Sequence, residues 1–229
     1  MGFRKGAPAA LALSLLSATA LSAPAGAQEA IEEIVVMAQR RAQNLQEVPV
    51  SVTAMGGEQL QESGLTNSLA IGDVVPNLEI KTFGGVPNIF IRGVGNNDFN
   101  SSSVGPVSIY RDDVPVASTG SQIFSLFDLD RVEVLRGPQG TLFGKNTTGG
   151  AIVYISKLPD GRQEGYFRVG YGRFNLFETE AAASMPLADG LSARVSGVLR
   201  RRDGERVNLY TGDRAIDVEI GRASCRARG

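Results

Sequence analysis

The chain has no histidine, no tryptophan and one cysteine, Cys225, in 229 residues. It therefore has no means of building a His/Cys metal site, a histidine-based triad or an internal disulfide, and no cofactor is implied. Opposite charges nearly cancel at a net charge of −1. That removes any general electrostatic case for nucleic acid or for a membrane surface, so binding must be local. Carboxylate catalysis stays open in principle, but the 24 acidic residues are spread along the chain without marking a working pair. The closest approach, Asp112-Asp113, lies between Val107 to Tyr110 and Val114 to Ala117, and reads as a hairpin turn.

Long apolar runs are also scarce. The exception is Ala7 to Leu21, preceded by Arg4 and Lys5 and followed by the small residues Ala25-Gly26-Ala27. This is the pattern of a Sec-type signal peptide cleaved after Ala27, and the run is too short and too poorly flanked for a spanning helix. An uncleaved anchor is the other reading.

Next comes Glu29 to Ala38, a short β-branched run between polar flanks, with no partner strand nearby in sequence. Such a segment either forms the first strand of the following domain or adds itself to the sheet edge of another protein. Gln39 to Glu47 is polar and charged, as in a mobile linker.

From Val48 to about Pro159 the pattern is that of a small α+β domain, a mixed β-sheet with short helices. Val48 to Ala54 alternates as a strand. Gly57 to Gly64 and a second segment from Thr66 to Pro76 read as short helices, and Leu78 to Lys81 and Ile89 to Arg92 as strands. Thr82 to Asn88 and Gly95 to Gly105 read as loops. In the second, Asn96, Asn97, Asp98 and Asn100 surround Phe99, which suits either an exposed loop sampling a polar ligand or a solvated connector with Phe99 buried.

The most distinctive stretch is Asp130 to Ile152. Arg131 to Leu135 alternates as a strand with one buried face, and glycines from Gly137 to Gly150, with Pro138, then allow tight turns before Ala151 to Ile155 resumes an extended run. Gly144-Lys145 does not make a phosphate-binding loop. The required first glycine falls on Gln139, and Asn146 replaces the hydroxyl residue.

Beyond Pro159 the period becomes a strict two. Phe167, Val169 and Tyr171 share one face against Tyr166, Arg168, Gly170 and Gly172; Phe177, Thr179, Ala181, Ala183 and Met185 oppose Glu178, Glu180, Ala182 and Ser184; Leu191, Ala193, Val195, Gly197 and Leu199 oppose Ser192, Arg194, Ser196, Val198 and Arg200. Each segment approaches the ~9–11 residues of a tilted membrane-crossing strand, although soluble hairpins alternate in the same way. Alternation fades from about Ile216. The segment to Gly229 reads as a tail that is not native, a cloning or assembly scar.

Taken together, these motifs resemble TonB-dependent outer-membrane receptors over roughly Glu29 to Arg202. Glu33, Ile34, Val35, Val36, Met37 and Ala38 resemble the TonB box, with Met37 where many of these receptors carry threonine. Ile91 to Gly95, Val107 to Val116 and Arg131 to Ile152 match, in order, the recurring motifs of the plug domain. The resemblance implies a signal peptide at 1–27, TonB box and linker at 28–47, plug at 48–159, and the first antiparallel strands of a truncated transmembrane β-barrel at 160–215, with the tail at 216–229.

The resemblance implies transport in a Gram-negative outer membrane, not catalysis. A scarce ligand such as a ferric siderophore or cobalamin would meet the loop at Asn96, Asn97, Asp98, Phe99 and Asn100, and TonB would pull on the box. Arg92, Arg131 and Arg136 would pair with barrel carboxylates, or else locally with Asp128, Asp130 or Glu133, and without the remaining barrel some of these arginines are expected to face solvent. A periplasmic or secreted binding module using the same α+β domain is the alternative.

Overall fold

The computed structural model describes residues 35–36, 43–44, 46, 48–83, 85–98, 100, 103–188, 190–207, 214–220 and 224–228; the side chains of Val35 and of residues from 205 onward are not described. The signal peptide reading at 1–27, and Glu33, Ile34, Met37, Ala38 and Phe99, lie outside the described residues.

The strands in chain order begin with β1 (Val35–Val36), β2 (Gln43–Asn44) and β3 (Val52–Gly56), followed by helix α1 (Gly57–Glu62) and helix α2 (Ile71–Val74). Then come β4 (Leu78–Phe83), β5 (Val86–Ile91), β6 (Val94–Gly95), β7 (Val107–Arg111), β8 (Val114–Pro115) and β9 (Leu129–Arg136). Helix α3 (Gly140–Phe143) leads into β10 (Gly150–Ser156). The remainder is strand: β11 (Glu164–Gly172), β12 (Leu176–Ala188), β13 (Leu191–Val207), β14 (Arg214–Ile220) and β15 (Ser224–Arg228).

The centre of the first domain is the pair β9 and β10, because their side chains are buried on both sides of the sheet. Strand order is β3-β9-β10-β7-β8, with β10 antiparallel to β9 and parallel to β7. Val132, Val134, Ile152 and Tyr154 face one core, which also holds Leu60, Ile71 and Val75 of the helical segment and Leu78, Ile89 and Ile91 of the separate sheet β4-β5-β6. Leu135, Ala151 and Val153 face a second core with Tyr110, Phe143 and Val36.

The single buried face expected for Arg131 to Leu135 is thus corrected. Glu133 is only 1% exposed, and it is tolerated there because Arg131 Nε lies 2.8 Å from its Oε1.

Two tight turns show why particular residues occupy them. Arg92-Gly93 joins β5 to β6 and the expected Asp112-Asp113 turn joins β7 to β8, each with positive φ at both positions (54° and 80°; 49° and 67°) as two-residue hairpins require. Asp112 is held there because its carboxylate accepts from the backbone N–H and Oγ of Ser156, both at 2.8 Å.

Other expectations shift. Thr82 to Asn88 is not a loop: pairing continues to Phe83↔Val86, so the breaker-rich sequence serves one turn containing Gly85 at φ 81°. The strand expected from Val48 starts only at Val52, after Pro49, which lacks a ladder donor. The second helix is split into a 3-10 turn, Ser68–Ala70, capped by Asn67 Oδ1, and the single turn α2, which leaves Val74 38% exposed.

The second sheet is antiparallel, β11-β12-β13-β14, with β15 also pairing with β13. Residues 214–220 and 224–228, most of them within the tail expected from about Ile216 where alternation fades, add strands to its edge. Its register places Phe167 opposite Ala181 and Gly197, Val169 opposite Thr179 and Leu199, and Tyr171 opposite Phe177. Directly opposed residues share a face, so the apolar rows expected from alternation form one continuous surface. Among the described residues the sheet stays open.

Candidate functional site

The polar face of this second sheet, not its apolar face, is the one turned to the first domain. Phe167, Val169, Tyr171, Phe177, Met185, Val195 and Leu199 are all exposed, Tyr171 by 78%. A soluble two-layer protein would bury that surface; a wall strand in lipid would present it.

Contacts between the two parts are ionic and amide in kind. Arg194 on β13 donates from Nε to both carboxylate oxygens of Asp128 (3.1 and 2.9 Å), from Nη2 to Oδ1 (2.6 Å), and from Nη1 to Glu164 (2.7 Å). Both Arg194 and Asp128 are almost fully buried, and Lys157 approaches Glu164 at 3.3 Å. Asp128 occupies the left-handed region at φ 50°. Its carbonyl accepts from Lys157 N–H at 3.0 Å, which fixes the turn that aims the carboxylate.

Further along the wall, Arg168 bridges Gln61 of α1 (2.7 Å) and Glu180 (3.2 Å), while Arg200 pairs with Glu178 at 2.5 Å and reaches Thr66 O at 3.4 Å. Between them lies a gap of about 530 Å³ lined by Glu58, Gln61, Arg168, Glu178, Glu180 and Arg200. Such a polar seam holds a domain against a wall while keeping its contacts exchangeable with water.

The structure separates the three arginines singled out by sequence. Arg131 is paired locally with Glu133 and Asp130, the other of the two readings. Arg92 donates to Ser51 Oγ at 2.9 Å and Arg136 to Pro76 O at 3.1 Å, both neutral acceptors. Among the described residues Arg136 Nε is buried without a partner, and the guanidinium is held below its usual pKa by burial and by the nearby charge of Arg92. Two cations side by side with an unused donor form a place where an anion would be stabilised.

At the amino-terminal end, the expectation of a segment without a local partner is corrected. Val35 and Val36 pair with Asn44 and Gln43, and Val36 is fully buried against the second core. Polar Gln43-Asn44 hid that pairing, since β-propensity reads side chains and the ladder uses main chain.

In the loop at Asn96 to Asn100, the described residues hold one another. Asp98 N–H donates to Asn96 Oδ1 and Asn100 N–H to Asp98 Oδ1, each at 3.1 Å, while Asn96 Nδ2 donates to Ser103 at 2.9 Å. Asn97 is exposed. Asn96, Asp98 and Asn100 border a cavity of about 260 Å³ that also reaches Asn88, Tyr110 and Lys145.

Sequence reasoning missed Glu164 and named Asp128 only as a local partner for the plug arginines. Alternation had placed Arg194 on a polar face, but nothing local named its partner 66 residues away.

Residues 44–151 match the TonB-dependent Receptor Plug Domain. The chain is 34% identical over 209 residues to the pesticin receptor of Yersinia pestis, covering 90% of this chain and 30% of that receptor. It is 27% identical to the vitamin B12 transporter BtuB of Vibrio vulnificus, over 77% of this chain and 29% of the transporter.

Among solved structures, the ferric yersiniabactin uptake receptor FyuA from Yersinia pestis superposes with a TM-score of 0.66 at 30% identity, covering 78% of this chain and 27% of FyuA. The pyoverdine outer membrane receptor FpvA of Pseudomonas aeruginosa, at 22% identity and a TM-score of 0.65 over 76% of this chain and 25% of its own, shares the fold. The chain thus spans under a third of the length of these relatives, which are receptors and a transporter rather than enzymes.

Proposed function

Because the chain belongs to the TonB-dependent receptor family and carries its plug domain, we propose that it is part of an outer-membrane receptor of a Gram-negative bacterium, importing a scarce ligand such as a ferric siderophore or cobalamin. The observation that carries this reading is the orientation of the second sheet: charged face on the plug, apolar face outward. Lipid covers the outer face, and the polar face lines a lumen that the plug fills.

In this reading the ligand meets the plug at Asn96, Asn97, Asp98, Phe99 and Asn100, where the cavity and its amide side chains support recognition of a polar, chelate-like molecule. TonB takes Glu33 to Ala38 as an added strand, which requires Val36 to leave its core and the pairing with Gln43-Asn44 to open. Arg92 and Arg136 pair with carboxylates from other barrel strands, supported by the unused Arg136 Nε, while Arg131 keeps its local partners. Proton-gradient energy delivered through TonB drives the step, so the chain needs no catalytic residue of its own.

The test is a pull-down of the periplasmic domain of TonB with a peptide spanning Glu29 to Arg41, beside the same peptide with Val35→Pro. Capture by the parent and loss with proline supports strand addition, since proline removes a ladder donor. Equal capture by both peptides, or by neither, overturns the assignment of the box. Uptake of radiolabelled ferric siderophore and cyanocobalamin by cells bearing the full-length receptor, with and without a protonophore, tests transport itself.

A further inference from the structure

The cavity beside the Asn96 to Asn100 loop is bordered by polar groups that the fold itself does not use. Its volume of about 260 Å³ is the share of about nine waters in the liquid, so it admits one group of about that many heavy atoms. One wall is apolar and firm. Val107, Ile109, Tyr110 and Phe143 are all buried, Tyr110 meets Phe143 edge-on with ring centres 5.1 Å apart, and the Tyr110 hydroxyl donates to Phe143 O.

Most polar side chains on the lining are spent on holding the plug together. Asn96 engages Asp98 N–H and Ser103, Asp98 Oδ1 accepts from Asn100 N–H, and Gln122 Nε2 donates to Val116 O at 3.3 Å. Two differ. Asn88 on β5 is only 8% exposed, and its amide has no hydrogen-bond partner among the described residues. A buried amide in that state is costly, and a bound polar group removes the cost. Lys145 is exposed and has no ion pair among the described residues. Its backbone is held on both sides, since Gly144 O accepts from Thr147 Oγ1 at 2.6 Å and Asn146 O from Ser108 Oγ at 2.9 Å. The lining therefore offers an ammonium, which can only donate, and a buried amide beside an apolar wall. Its one acid, Asp98, is exposed on the loop with Oδ1 already engaged.

We propose that this cavity takes an aryl carboxylate, with the ring against Val107, Ile109, Tyr110 and Phe143 and the carboxylate on Lys145 and the Asn88 amide. Hydrogen bonds to an ionised acceptor are the stronger kind, and a ring of this size covers the apolar wall. A neutral amide of the same shape leaves Lys145 unpaired, and a short aliphatic acid leaves the wall uncovered. The ring is either a free acid or the end group of a larger ligand, and the recognition chemistry is the same for both. The inference rests on the reading of this loop and cavity as the ligand site of a receptor.

The test titrates the full-length receptor in detergent micelles with benzoate, benzamide, acetate and 4-hexyloxybenzoate by calorimetry, with heat-modifiable gel migration reporting the folded barrel. Benzoate should bind at least tenfold tighter than benzamide or acetate. Lys145→Met should abolish the preference for benzoate over benzamide and Lys145→Arg should keep it, while Asn88→Leu weakens benzoate at least tenfold. The exposed position of Lys145 keeps its variants informative even where the buried Asn88→Leu change prevents folding. Tighter binding of 4-hexyloxybenzoate than of benzoate identifies an end group; equal or weaker binding identifies a free acid. Equal affinity for benzoate and benzamide, or a preference that survives Lys145→Met, overturns the subsite. If no aryl carboxylate binds while protonophore-sensitive uptake of ferric siderophore or cyanocobalamin persists, the subsite falls and the receptor reading stands. Loss of all such uptake strikes the receptor reading instead, in a separate assay.

Discussion

Asp128 and Arg194 form a buried ion pair held by three hydrogen bonds that joins the plug to the third strand of the wall, with both carboxylate oxygens engaged within 3.1 Å. The sequence suggested plug arginines reaching for wall carboxylates. Here the polarity is reversed: the plug supplies the acid and the wall the base. Changing Asp128 to Ala leaves Arg194 buried with Glu164 as its one acidic partner among the described residues, and should lower stability by about 3–5 kcal/mol. The double variant D128L/R194M should lose much less than the sum of the single changes, as read from urea unfolding midpoints.

Tyr154 should remain protonated well into alkaline solution. Its ring is fully buried and its hydroxyl donates to Ser68 O at 3.2 Å, so burial pushes its pKa above the ordinary 10.0. A pKa raised by folding favours the neutral form; the contribution is complete below about pH 10 and is lost as pH climbs toward the folded value. Ultraviolet titration should show the Tyr154 ionisation delayed until the plug unfolds, and Tyr154→Phe should reduce the amplitude of that late step.

Gly150 should not tolerate a side chain. Its φ of 148° is combined with a position where a Cβ would lie 2.4 Å from Leu135 O and 2.8 Å from Ile91 Cδ1, at the first pairing of β10. Gly150→Ala is expected to cost about 2 kcal/mol or more. Gly140→Ala, where no neighbour lies within 4 Å, should change the melting temperature little, and a similar drop for both would contradict the packing argument.

Val36→Ala should loosen the amino-terminal pairing without unfolding the plug. Val36 is fully buried beside the second core, and removing its two methyl groups should weaken the β1-β2 contact by about 1–2 kcal/mol. Hydrogen exchange of the amides at Val35, Val36, Gln43 and Asn44 should accelerate by roughly tenfold while exchange in β9 and β10 stays slow.

Much of the architecture was legible because it is written in short-range patterns. The turn at Asp112-Asp113, the strand pair around Arg131 and Ile152, and the two faces of residues 166–200 follow from period-two alternation and breaker residues, which act locally. The strand continuity through Thr82 to Asn88 and the pairing of Val35-Val36 with Gln43-Asn44 were hidden. Backbone ladders form across glycine and polar residues whose side chains advertise a loop. For the candidate site, the Asn96 to Asn100 cluster was visible as composition, but its hydrogen-bonded self-ordering and its cavity were not.

The sequence by itself determined which residues of residues 166–200 share a face and which carry charge, because side chains on a strand must alternate whatever they meet. Only the tertiary structure decided which face met the plug and which arginine met which acid. Glu133 closes on Arg131 two residues away, Asp128 on Arg194 across 66, and Arg136 retains a buried Nε without a partner among the described residues. The reason is physical: a charge is the same letter wherever it stands, but its partner is selected by the desolvation that burial imposes, and burial exists only once distant strands have been brought together.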